Sequence, residues 1–137
     1  MNKKIDGSSK KFLPIWVWVI ALIQIFLILF FAIGTALNPE GFISESAQLD
    51  YVTMLYIIRN VTIVIGIIVA LLLKSRLMLF GMLLVRMLTD VADVFAVYVF
   101  NVEVIKSSVP MVVAILIVPA LVALCFLWKR ISQEEKL

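Results

Sequence analysis

Four charged side chains, Arg59, Arg86, Asp90 and Asp93, stand inside long apolar stretches of the chain. A charge at mid-bilayer costs at least about 2.5 to 3.5 kcal/mol on insertion scales, so such residues turn towards one another, a bundle interior or a water-filled cavity. On a helix advancing about 100° per residue, Arg86, Asp90, Asp93 and Val97 share one stripe, with Thr89 at its edge and Met82 one turn earlier. Arg86 and Asp90 form an i,i+4 pair. Arg59 shares a face with Thr62 and Gly66 and is flanked by Tyr56, while Asn60 points about 100° away.

Depth brings these residues together. Arg59 lies about 12 Å from the outer end of its apolar stretch, and Asp90 and Asp93 lie at similar depth in theirs. The expectation is that Arg59 pairs with Asp90 or Asp93 and that Arg86 binds the remaining carboxylate, so that two positive and two negative charges cancel. Two readings stay open. In one, the cluster is a closed salt-bridge network that fixes helix register and needs no ligand. In the other, the arginines line a site for an anionic or polar headgroup, or Asp90 or Asp93 carries a proton.

Weaker candidates surround the cluster. Gln24, midway along the first apolar stretch, is in reach of it, although an amide hydrogen-bonding across helices is the plainer account. Met78, Met82 and Met87 suit ordinary packing more than a hydrophobic pocket, and Cys125, near the inner interface, suits an inert buried thiol more than an acylation site. There is no nucleotide-binding loop, nucleophile elbow or metal-ligand spacing, and no catalytic residue or cofactor is assigned.

The elements that position the charges are four apolar blocks, at about 12–37, 51–73, 77–100 and 110–128. Each is long enough to cross a hydrocarbon core of about 30 Å at about 1.5 Å per residue. Barrel strands would alternate apolar and polar residues, whereas these blocks are apolar on nearly every side. The expected fold is an all-α membrane protein, a four-transmembrane-helix bundle forming one integral membrane domain over residues 1–137. The first block is too long for a cleaved signal and reads as a retained helix, with Pro14 in its first turn and Trp16 and Trp18 at headgroup level.

The segment 38–50 holds Pro39, Glu40, Gly41, Glu45 and Asp50 and no basic residue, which reads as a turn on the outer side. Lys74, Ser75 and Arg76 alone separate the second and third blocks and force them into an antiparallel hairpin. A loop with Glu103 and Lys106 joins the last two. Nine Lys and Arg residues outside the blocks fall on the proposed inner side and one, Lys106, on the outer side. That asymmetry places both termini in the cytoplasm. Tyr51, Tyr56 and Tyr98 then lie towards the outer interface and Trp128 towards the inner one. Pro119 breaks the fourth helix's bond to Ile115, and Gly66 with Ala70, or Ala92 with Ala96, offers small surfaces for close helix contact.

Composition closes off several function classes. The chain is 64% hydrophobic and 15% charged, and its +3 net charge sits between apolar blocks and at the ends rather than on a groove-reading element, so nucleic acid is not an expected partner. With one cysteine and no histidine it forms no internal disulfide, Cys/His zinc site or histidine-ligated haem.

Arg59-Asn60, then Gly66, a short basic turn, and Thr89-Asp90-Val91-Ala92-Asp93 in the next helix resemble the pattern of small four-helix bacterial membrane proteins of the DoxX-like kind. The match covers about a third of the chain, and Arg86 and the second aspartate are additional to it. The resemblance implies a fold and a bacterial inner-membrane location. The expected role is a non-enzymatic membrane protein whose polar cluster organises the bundle and binds a small ligand, a lipid, or a partner, whether a homodimer mate or another membrane protein. The alternative is a small proton-coupled transporter acting as an oligomer through Asp90 or Asp93.

Overall fold

The computed structural model describes residues 12–43, 48–101, 106 and 108–134. Among them every regular element is helical: α1 (Ile15–Leu37), α2 (Pro39–Phe42), α3 (Tyr51–Leu72), α4 (Arg76–Val99), α5 (Val109–Val112), a π-helical turn (Val113–Ile117) and α6 (Val118–Glu134). Glu45, Glu103, Lys136 and the N-terminal Lys3, Lys4, Lys10 and Lys11 lie outside the described residues.

Three helices are long and apolar enough to cross a membrane: α1, α3 and the continuous run Val109–Glu134. The expected four-pass count is thus met in part, because Arg76, Arg86, Asp90 and Asp93 set α4 apart from the other three. Side chains turned away from the helix contacts are as apolar as those within them. Phe26 is 69% exposed and Phe95 69%, surfaces that suit hydrocarbon and not water.

The long helices pack in sequence, α1 on α3, α3 on α4, α4 on α6, with α6 also reaching α1. Hydrocarbon tails are as apolar as leucine, so helices associate by close packing rather than by escape from water. The buried positions fit that demand. Ala21 and Ala32 on α1, Ala70 on α3, and Ala120 and Ala123 on α6 are all buried and let the backbones approach. In α1 the buried set Val17, Ala21, Gln24, Ile28, Ala32 and Thr35 follows steps of three or four, a single seam along the helix. The methionines pack against this core as expected, and a Cβ on Gly66 would collide with the Met82 thioether. The expected small pair Ala92 and Ala96 behaves differently: Ala92 is exposed and Ala96 half-buried, so that surface is not consumed inside the chain.

The boundaries differ from expectation at four places. Pro14 is the N-cap of α1 instead of a first-turn residue, since its extended ψ of 152° precedes the helix. The acidic connection contains the short α2, whose Phe42 ring folds back onto Gly34 of α1. Arg76 opens α4 rather than belonging to the turn. The last helix runs past Trp128 to Glu134, because polar residues hold a helix as well as apolar ones once it is started; Arg76 pairs there with Glu134.

The turn between α3 and α4 shows why three residues suffice. Lys74 adopts the left-handed conformation (φ 51°), its N–H donates to the Leu71 carbonyl at 3.2 Å and the Ser75 N–H donates to the Ala70 carbonyl at 3.1 Å. This is a Schellman closure with lysine where glycine is usual. Ser75 then starts α4, its Oγ accepting from the Met78 N–H at 3.2 Å. At the opposite end Asp50 caps α3 by accepting from the Thr53 N–H at 2.8 Å, and the Thr53 hydroxyl donates to the Gln48 carbonyl at 2.9 Å.

Candidate functional site

The α3–α4 contact brings the four charges of the apolar stretches into two ion pairs. Arg86 Nη2 binds Asp90 Oδ1 at 2.6 Å along α4, and Arg59 Nη2 of α3 binds Asp93 Oδ2 of α4 at 2.7 Å. The pairing anticipated from depth is therefore present, with Asp93 as the partner of Arg59.

The two pairs have different surroundings. The Arg86 and Asp90 side chains are 6% and 5% exposed, continuing the buried seam that Leu79 and Leu83 begin on α4. Arg86 Nη1 also donates to Asn60 Oδ1 at 3.2 Å, and Asn60 Nδ2 donates to the Tyr56 carbonyl at 3.1 Å. A chain of polar contacts thus crosses from α4 to the backbone of α3. By contrast the Arg59 and Asp93 side chains are 36% and 42% exposed. The Arg59 guanidinium lies 5.2 Å from the centre of the Tyr56 ring, so the half-buried tyrosine covers one side of it.

Asn60, about 100° round the helix from Arg59 as the spacing requires, holds the more buried place: it is 1% exposed and belongs to the buried set Asn60, Ile63, Val64, Ile67, Ala70 and Leu71 of α3. The three-and-four spacing that follows Asn60 was the available signal. The inward face of α3 is that of Asn60, with Arg59 at its margin.

Three expected members stand apart from the network. The Thr62 hydroxyl donates to the Ile58 carbonyl at 2.8 Å, and the Thr89 hydroxyl to the Arg86 carbonyl at 2.7 Å, each on its own helix. Gln24 does not reach the charges; its Nε2 donates to the Leu116 carbonyl at 2.8 Å across the α1 contact with the last helix. That carbonyl lies within the π-helical turn, where the Val118 N–H donates back to the Val113 carbonyl. Pro119 supplies no N–H, and the backbone adjusts through this turn.

Several buried polar atoms have no partner: Asp90 Oδ2, Arg86 Nε, Arg59 Nε and Gln24 Oε1. An unmatched buried polar atom costs about 1 to 3 kcal/mol, so the cluster is stable in its charge pairing and incomplete in its hydrogen bonding. Paired-carboxylate catalysis needs one protonated and one ionised acid side by side, whereas each carboxylate here is bound to an arginine of its own. Among the described residues no group of three or more His, Cys, Asp or Glu is arranged to hold a metal.

A separate cavity of about 610 Å³ opens at the other end of the α3–α4 hairpin, between Phe12, the Lys74–Leu77 segment, Ile131 and Glu134. Arg76 spans it, its Nε donating to the Phe12 carbonyl at 2.8 Å and its guanidinium pairing with Glu134. The start of α1, the start of α4 and the end of α6 are tied together there. Comparison of the chain with family models, with curated proteins and with solved structures gives no match in any of the three.

Proposed function

We propose that the chain is a non-enzymatic, four-pass inner-membrane protein in which the Arg86–Asp90–Asn60 group fastens α3 to α4 and the Arg59–Asp93 pair serves as the recognition element for another component of the membrane. The observation that carries this reading is the contrast in exposure between two ion pairs of the same chemistry, one enclosed and one open at the side. α4 joins the three apolar helices as the fourth span because a three-residue turn returns it alongside α3, and its charges cancel in pairs. The basic turn and the basic C-terminal end then share the cytoplasmic face, in line with the positive-inside rule and with the location that the DoxX-like resemblance implies.

The test uses single cysteines in a Cys125→Ser background. Gln48 and Lys74 are both exposed, beyond opposite ends of α3. A membrane-impermeant thiol reagent is expected to label Gln48→Cys in intact cells and Lys74→Cys only after the membrane is permeabilised. Asn101→Cys, at an exposed position beyond the far end of α4, should label like Gln48→Cys. Labelling of Lys74→Cys from the same side as either of the others overturns the four-pass topology.

A further inference from the structure

Resting on the reading that α4 crosses the membrane, we infer that the open Arg59–Asp93 pair is one half of a symmetric interface, and that a second copy of this chain completes it. In α3 and α4 these residues lie about 12 Å and about 9 Å from the helix ends nearest the outer surface, deep enough to be in hydrocarbon. An ion pair exposed by 36% and 42% at that depth leaves polar surface against lipid. Tyr56 covers one side of the guanidinium, and nothing else described supplies the rest.

The geometry of the pair selects its occupant. Copies inserted in the same orientation are related by a two-fold axis along the membrane normal. Such an axis beside the α3–α4 seam sets the positive end of each pair against the negative end of the other. Arg59 faces the partner's Asp93, and Asp93 faces the partner's Arg59, at one depth and with no net charge. An unrelated partner would need its own cation and anion at the same depth and spacing, whereas a second copy has them by symmetry.

The flanking surface fits close approach. On α4 the exposed Ala92 and half-buried Ala96 lie on the outward side of Asp93 at i,i+4 spacing, and on α3 the exposed Thr62 lies one turn from Arg59. Small side chains beside an interhelical polar contact are the usual means by which helices meet in lipid. Ala92 is unused within the chain, and the Thr62 hydroxyl is already satisfied by Ile58, so neither opposes burial.

The test measures energy transfer between copies labelled at Cys125, the single cysteine, which is exposed rather than buried as its sequence setting suggests, in phospholipid vesicles over a range of protein-to-lipid ratios. Wild-type copies are expected to associate above the random-collision level. The exchange Arg59→Asp with Asp93→Arg preserves the charge complement within a copy and between two identical copies, but sets like charges together in a mixed pair. The exchanged chain is expected to associate with itself and to mix with wild type at least about tenfold more weakly. Free mixing, or wild-type transfer no higher than random collision, overturns the interface.

Three further variants keep the result readable if the exchanged chain misfolds. Arg59→Leu with Asp93→Leu should keep its helix content and lose association, and association as tight as wild type overturns the proposal. In a Cys125→Ser background, Ala92→Cys should form an intermolecular disulfide under mild oxidation while Phe26→Cys on the exposed face of α1 should not; the reverse pattern overturns it. Failure of the topology labelling removes the four-pass reading, whereas correct topology with free mixing removes the dimer alone.

Discussion

Arg86–Asp90 and Arg59–Asp93 contain the same two functional groups at 2.6 and 2.7 Å, in neighbouring turns of one helix contact. Their partners separate them. Arg86 spends a second nitrogen on Asn60, which is itself anchored to the backbone of α3, so removing either charge strands the other where neither water nor lipid headgroup reaches. Beyond Asp93, Arg59 has among the described residues the face of Tyr56, and it keeps about a third of its side chain outside. A buried pair is strongly destabilising when broken although its net worth is small, and an open pair relaxes when broken. Identical chemistry therefore takes an enclosed and an open form according to what surrounds it.

The sharpest way to break this comparison is to neutralise one carboxylate of each pair and follow thermal unfolding in detergent. Asp90→Asn is expected to cost about 3 to 5 kcal/mol, because it leaves Arg86 charged and enclosed. Replacing both partners, Arg86→Met with Asp90→Leu, should recover most of that loss. Asn60→Leu removes the neutral acceptor of a charged donor and should cost about 1.5 to 3 kcal/mol, with no effect on the open pair. Asp93→Asn should cost less than Asp90→Asn, since the Arg59 side chain is open on one side and its head can shift towards the near end of α3. Equal losses from Asp90→Asn and Asp93→Asn would show that exposure does not separate the pairs.

Asp50 extends the comparison to a carboxylate that is fully exposed and has no arginine. Its hydrogen bonds from Thr53 hold its pKa below the ordinary value of 3.8. The cap's contribution is complete above about 3.8 and fades as pH falls through the lower folded-state value. The Thr53 amide resonance should titrate with a midpoint below 3.8, and a midpoint at or above it would mean that the cap is not formed.

The sequence made the helices, their apolar character and the charge pairing legible for a simple reason. Long uninterrupted apolar blocks leave helix as the main option, and four opposed charges in hydrocarbon leave pairing as the main option. It did not disclose the rotation of α3 about its axis. The position of Arg59 drew attention to one face, whereas α1 and α4 together select the face of Asn60, and that selection depends on packing against two neighbours. The end of the last helix was hidden for a related reason. Apolar composition marks where lipid ends, while Glu134 continues a helix whose hydrogen bonds are indifferent to that boundary. The fate of Gln24 turned on the π-helical turn, a backbone adjustment that residue types alone do not announce.

The tight closure at Lys74 and Ser75 also bears on how the protein is made. α4 is the helix least suited to entering a bilayer by itself, and it emerges from the ribosome directly after α3 with three residues between them. Such a link cannot span a membrane, so on the proposed four-pass topology α3 and α4 would enter the bilayer as one hairpin. Arg59 and Asp93, paired in the folded structure, would then cross as a neutral pair. Lengthening this turn would let the helices arrive separately, and the defect would appear in biogenesis before any change in the finished fold.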